Sequence, residues 1–569
     1  MQTKSRLAIL LIICSAVLAC GPPLPAARDG GDAQPAPSAP QRTLVIISRA
    51  ELPSLASKPL VGFSGSLNPP VRLFNATLDV IDEREIAVPY LQEALPQLNT
   101  DSWRVLPDGQ METTHRLRPN LTWHDGAPLS AEDFVFAWRV YATTELGVSG
   151  TRPIRQMAEV AAPDARTVLI RWRQLYPDAA RMDRSFQALP RHILEQPLQQ
   201  MEAPAFANHT FWTMEYVGLG PYKVVRWEPG AFIDATAFDG HALGRPRIDR
   251  VRLSFVPDPN TALANMLSGD AHFVADFVLG YDDGLTLERE WAAQNGGTVF
   301  FAPVLPRLSQ IQHRPEYVSP KALLDVRVRR ALAYAFDTPG ALDVFTGGRG
   351  VITHTLTSPR VAYYPAIERG ITKRDYDPRA TQRLLEEAGY ARGADGFYLT
   401  PTGEPLKLDL WNTGGAVFER ENRIFVDSLR RAGVDTSAQT MTPARLADAE
   451  ARALTPGLFT GGAGDDRLAE YSRETIPRPE NRWQGNNRGG WDNAEYDRLW
   501  QAFNATLGQE ERVQQIAGME RVLNEEVGTI PHYFTVVITA HVAGLEGPVA
   551  RMTPDVPVGI QRVHTWQWR

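Results

Sequence analysis

The side chains able to do chemistry are few and scattered. Gly461-Gly462-Ala463-Gly464-Asp465-Asp466 sets two adjacent carboxylates in a glycine-rich turn, which by residue type alone reads as solvated acids. Trp411-Asn412 follows the alternating strand Leu406, Leu408, Leu410, and Trp411 suits a pocket wall as well as a core. His124-Asp125-Gly126 is a turn, because Gly tolerates positive φ and Asp bonds its own backbone. The eleven histidines offer no helical H-x-x-x-H pair, so no direct metal cage is expected. No G-x-S-x-G or H-E-x-x-H occurs, and the serines of Gly65-Ser66 and Gly147-Val148-Ser149-Gly150 lack a nucleophile's context. Glu386-Glu387 falls on the solvent side of a capped helix. These residues disfavour a hydrolase, and no cofactor is expected.

The elements around these residues are better marked. In Leu117–Val140 a strand end, the HDG turn and a helix start follow one another, with Ser130 as N-cap and Asp133 completing a capping box. Phe134, Ala137 and Trp138 give that helix an apolar face. Met111, Thr113, His115 and Leu117 alternate as in a half-buried strand, as do Val168, Ile170 and Trp172, and Val251, Leu253 and Phe255. Asp325 caps a helix with Val328, Leu332, Ala335 and Phe336 inward. Asp377-Pro378 opens a helix with Ala380, Leu384 and Ala388 on one face, closed by Gly389. Asp492 and Glu495 open another, bearing Tyr496, Leu499 and Phe503, and Val417 to Ala432 is helix-like with Arg423 on its solvated face. Strands and helices mix along the whole chain, an α/β pattern without repeats.

The N-terminus predicts export. Lys4 and Arg6 precede an apolar run from Leu7 to Ala19, shorter than the ~20 residues of a spanning helix. It ends Val17-Leu18-Ala19-Cys20, which resembles a bacterial lipobox and implies cleavage before Cys20 and its lipidation. Residues 1–19 then form the signal peptide and 20–41, rich in Pro, Ala and Gly, a tether. The other cysteine, Cys14, lies in the apolar run, so the processed chain holds no internal disulfide. The net charge of −7 is spread out, and no basic aromatic-interleaved stripe points to nucleic acid.

Several segments resemble the oligopeptide/dipeptide class (family 5) of extracellular solute-binding proteins of bacterial ABC importers. WHDGAPLSAEDFVFAW (123–138) resembles that family's signature, in which the motif is structural. VPYLQEALP precedes it. VGLGPYKVVRWEPG (217–230), NMLSGDAH (265–272), DVRVRRALAYAFD (325–337), YDPRATQRLLEEAGY (376–390), NNRGGWDNAEYDRL and TIPHYF follow in the family's order.

The resemblance implies a two-lobed periplasmic-binding-protein-like fold with an inserted subdomain, a hinge and an interlobe cleft. Lobe I takes 42–75, 205–302 and 532–569, the inserted subdomain 76–204 and lobe II 303–531. It further implies capture of a peptide, an oligopeptide rather than a dipeptide, and delivery to permease and ATPase subunits. In such proteins an Asp after a strand meets the peptide ammonium, and the matching residue is Asp465, with Gly464 and Ala463 beside it and Trp411 and Asn412 at the neighbouring strand end. Gly462 stands where the family has an aromatic, no proline follows the acid, and no Arg follows Trp411 until Arg420 and Arg423, which disfavours a dipeptide clamp. The expected protein is an extracytoplasmic monomer, held to the membrane only by its N-terminal lipid. The readings set against it are a binder of a non-peptide solute (oligosaccharide, opine-like solute or nickel complex), a lipid-anchored hydrolase, and a sensor lipoprotein on the same fold.

Overall fold

Alternation of buried and exposed residues along extended segments builds one large sheet that organises the molecule. A computed structural model describes residues 42–56, 60, 69–82, 86–146, 148, 152–182, 186–275, 277–462, 467–481, 483–550 and 559–569. Eleven strands join in this sheet: β1 (Leu44–Ser48), β2 (Tyr222–Glu228), β3 (Phe232–Ala237), β4 (Arg250–Phe255), β5 (Phe273–Val274), β6 (Gly297–Ile311), β7 (Val351–Ile352), β8 (Lys407–Asn412), β9 (Asp435–Thr440), β10 (Leu458–Gly462) and β11 (Thr529–Val542). Their order is β9-β8-β10-β6-β11-β5-β1-β4-β3-β2, with β7 also on β11. Two parallel groups, β9-β8-β10 and β5-β1-β4, flank the long antiparallel pair β6–β11. A separate four-stranded sheet contains Met111–Arg116 and Thr167–Trp172, and the inward residues expected there (Met111, Thr113, His115, Leu117, Val168, Ile170, Trp172) are all buried.

The apolar core is divided. One cluster joins residues from Leu44 to Trp291 with Ile538 to Trp566. Two others draw on Leu308 to Tyr533. Between them only Ala302, Val304 and Val537 form a small buried group on β6 and β11. Both register shifts in that pair, at Pro303/Leu305 and Arg307/Leu308, fall at this waist. Sparse apolar contact and interrupted pairing are what a bending segment requires.

Helices pack on these layers: α1 (Ala131–Ala142), α2 (Tyr281–Gln294), α3 (Val326–Ala333), α4 (Thr338–Thr346), α5 (Ala416–Arg431), α6 (Ala494–Ala505) and α7 (Gln509–Glu526). The capping box at α1 forms as expected, with Ser130 N donating to Asp133 Oδ2 over 2.9 Å. Three expectations need correction. Asn493, not Asp492, caps α6 through the Tyr496 amide. The inward stripe of the Pro378–Glu387 helix is Thr381, Leu385 and Ala388, one residue round from Ala380 and Leu384, because Leu385 enters the core while Leu384 stays half-exposed. α3 ends at Ala333, so Ala335 and Phe336 enter the core beyond its last turn.

Two sequence motifs explain one another. His124 Nε2 donates to the Gly220 carbonyl (3.0 Å), and its Nδ1 accepts from the Gly218 amide (3.2 Å). A Cβ on Gly218 would lie 2.1 Å from the Phe74 oxygen and one on Gly220 2.3 Å from the Asn75 nitrogen, so only glycine fits. The HDG turn and the GLGPY strand are thus one joint.

A second joint is arginine-made. Buried Arg329 on α3 donates to the carbonyls of Leu323 (3.0 Å), Leu324 (2.9 Å), Glu526 (2.7 Å) and Val527 (3.2 Å), closing the end of α7. Arg329→Met strands four carbonyls and is expected to cost about 3–4 kcal/mol in urea unfolding. An unchanged midpoint would show that water replaces the guanidinium.

Candidate functional site

Register alone locates a site. β10 runs antiparallel to β6 and ends at Gly462 opposite Arg307, which itself faces Tyr533 of β11. β5 runs antiparallel to β11 and ends at Val274 opposite Ala540. The carboxyl ends of both parallel groups therefore point at each other across the waist. Seven steps along β11, from Tyr533 to Ala540, separate them, about 23 Å at ~3.3 Å per residue. Carboxyl ends at a change of strand direction are where open α/β sheets bind ligands.

On one sheet face the waist carries a buried ion pair. Arg307 Nη2 contacts Glu421 Oε2, Arg307 Nε lies 3.3 Å from Oε1, and the Tyr533 hydroxyl donates to Oε1. The two charged side chains are 6% and 0% exposed. Burial works against the Arg307 charge, but the adjoining Glu421 carboxylate outweighs it and holds the guanidinium pKa above its ordinary value. Burial first, then the Glu421 charge, push the Tyr533 phenol well above its ordinary range, so it stays a donor. Arg307 lies 4.6 Å from the Phe418 ring centre. Phe418 is 36% exposed and Val417 beside it 48% exposed, giving the waist uncovered apolar groups.

The residues singled out by sequence divide into two sets. Ala463, Gly464 and Asp465 lie outside the described residues, as does Cys20; the strand that leads to them, β10, ends at Gly462 on the waist. Trp411 and Asn412 close β8. Trp411 is half-buried on the face opposite Leu408 and Leu410, with the Arg445 guanidinium 4.9 Å from its ring centre. Its indole nitrogen is shielded and has no protein partner among the described residues. Asn412 is buried and its amide is committed: Nδ2 donates to the Gln439 carbonyl (3.1 Å), and Oδ1 accepts from the Gly414 amide (2.6 Å). It holds the strand end in shape. Arg423 is exposed, as expected.

Arg307, Glu421, Tyr533 and Phe418 were missed. A lone arginine inside the apolar run VFFAPVLPRLSQI was the available signal; Glu421, among the charges of α5, gave none.

Among the described residues one Ser–His pair is hydrogen-bonded: Ser309 Oγ and His532 Nε2 are 2.8 Å apart, with Thr460 Oγ1 also 2.8 Å from the serine. Both are sealed in the core, and His532 lies between Phe336 and Phe425 at 4.7 and 4.6 Å. His532 Nδ1 has no partner among the described residues, and a nucleophile hidden from solvent meets no substrate. Among the described residues, no group of three or more His, Cys, Asp or Glu could hold a metal ion, and no helix is long and apolar enough to cross a membrane.

The model of the bacterial extracellular solute-binding proteins, family 5 (middle region), matches residues 93–472. The chain belongs to that family. This family 5 protein is 24% identical to the oligopeptide-binding protein AppA of Bacillus subtilis over 337 residues, 58% of this chain and 59% of that one. It spans between half and three fifths of the length of the curated relatives it matches. Its fold is that of periplasmic binding proteins. The structure of B. subtilis AppA in complex with a nonapeptide covers 93% of this chain and 99% of its own, at a TM-score of 0.71 and 20% identity. NikZ of Campylobacter jejuni in complex with Ni(L-His) covers 93% and 100%, at 0.73 and 20%. The dipeptide-binding protein of Escherichia coli is 24% identical over 337 residues, and a putative ABC transporter peptide-binding protein of Brucella ovis 25% over 294.

Proposed function

We propose that this family 5 protein is the solute-capturing component of an ABC importer, and that it closes two lobes over an oligopeptide at the waist. The observation that carries this reading is the convergence of both sets of strand ends on one stretch of β6–β11 about 23 Å long, room for an extended segment of about six residues. Main-chain hydrogen bonds hold such a segment whatever its side chains. The uncovered Val417 and Phe418 suit apolar peptide side chains better than a hydrated metal chelate. The divided core supports a hinge on β6 and β11 between lobe I, taken as 42–75, 205–302 and 532–569, and lobe II, taken as 303–531; the insertion, taken as 76–204, shares the core of lobe I and carries its own four-stranded sheet. Lipidation at Cys20, a tether over 20–41, a monomeric state and recognition of the closed form by a permease complete the reading, with Asp465 as partner of the peptide ammonium.

Denaturing mass spectrometry of what co-purifies tests it: short peptides of mixed sequence are expected, whereas a nickel chelate, a sugar or another non-peptide solute as the retained species contradicts it. Asp465→Ala is expected to weaken free-amine peptides about 10- to 100-fold, the worth of a charge-assisted hydrogen bond, with N-acetylated peptides and melting unchanged. Equal affinity in wild type and variant removes Asp465 from the site.

A further inference from the structure

Residues 152–181 and 472–512 draw on different cores, yet they meet along a polar seam. Arg512 Nη1 and Nη2 lie 2.9 and 3.3 Å from the two oxygens of Asp178. Arg152 Nη1 donates to Asn504 Oδ1 (2.6 Å), and Glu474 lies 3.6 Å from Arg152 and 3.4 Å from Arg155. Each charge is braced from behind on the 472–512 side. The Phe503 ring underlies Arg512 at 4.2 Å, and the Trp500 indole donates to Glu474 over 3.0 Å. Apolar contact is slight: Leu507 packs, half-buried, on the first core. Beside the ion pairs the two bodies are held apart by a cavity of about 1280 Å³ lined by Gln156, Gln174, Asp497 and Gln501 among others. A permanent interface is dry and apolar, and this one is neither. The seam also lies far from the bending strands. Arg512 is fifteen residues before Val527, where α7 ends near the start of β11, about 22 Å back along the helix axis.

We infer that Asp178–Arg512 and Arg152/Arg155–Glu474 form a salt-sensitive clasp between the inserted subdomain and lobe II, which biases the lobes toward the closed form and must part when they open. The inference rests on the proposed lobe closure for its consequence, since a clasp that favours closure slows solute release. The seam itself is testable without any solute. Part-exposed pairs are individually weak and weaken further with salt, so losing the clasp shifts the open–closed equilibrium about three- to tenfold.

Small-angle X-ray scattering of the solute-free protein reads this directly. Wild type is expected to be compact at 20 mM NaCl and to expand at 1 M. Arg512→Glu is expected to be expanded at both, and Asp178→Arg with Arg512→Glu to regain compactness at low salt. Circular dichroism melting identifies any variant that has lost its fold, and the swapped pair then decides, together with the wild-type salt series. Superimposable curves for wild type and a folded Arg512→Glu at 20 mM overturn the clasp, as does a folded swapped pair that stays expanded. Neither result bears on whether peptides co-purify.

Discussion

Arg307→Met is expected to destabilise the protein by about 3–5 kcal/mol. The substitution leaves the Glu421 carboxylate buried at 0% exposure with only the Tyr533 hydroxyl for company, and an uncompensated buried charge costs that much. Its desolvation is already complete in the native state, so the loss falls on folding rather than on local rearrangement. Combining Arg307→Met with Glu421→Gln removes the charge while keeping an acceptor for Tyr533, and should recover more than half of the loss. Urea midpoints of the two single variants and the double variant measure this. Additive losses in the double variant would mean that the pair is not coupled and that the waist is held by packing alone.

Acid should unfold the protein well before its carboxylates titrate. His115, His124, His241 and His532 are all buried. Burial is the leading cause in each, and it pushes His115 and His532 down to about 3 and His124 and His241 to about 4. Their hydrogen bonds agree: His124 accepts at Nδ1 from Gly218 while Nε2 donates, an arrangement open only to neutral imidazole. The unfolded chain takes up these protons as pH falls through ~6.5, whereas the native state refuses them until about 4 and 3. The stabilisation is therefore complete above 6.5 and is lost progressively below it, at about 1.4 kcal/mol per histidine per pH unit. Between pH 7 and pH 5 the four together remove about 7 kcal/mol. Urea midpoints across that range should fall steeply, with about four protons taken up on unfolding at pH 5. A flat profile would place these imidazoles in contact with water.

Much of the fold was legible because local pattern and packing agree. Alternation at 111–117, 168–172 and 251–255 gave strands with the right inward faces, and the capping signals at Ser130, Asp325 and Asp377 gave helix starts within a residue. Side-chain stripes were less secure: in the Pro378 helix, Leu384 and Leu385 are both apolar, and only tertiary packing decides which enters the core. The waist was not legible. It exists because β10 and β5 end at particular registers on two strands that start more than two hundred residues apart. The Arg307–Glu421–Tyr533 cluster joins positions more than a hundred residues apart, beyond any periodicity. Asn412 was found by its place at a strand end, but its amide, committed to the Gln439 and Gly414 backbone, could be read only from coordinates.

Hydrogen–deuterium exchange with and without a synthetic library of free-amine peptides, two to nine residues long, tests the central claim most directly. Capture at the waist predicts new protection concentrated in 300–307, 412–418, 458–462 and 534–539, where both sets of strand ends converge. Protection confined to other surfaces, or none at saturating peptide, would contradict it.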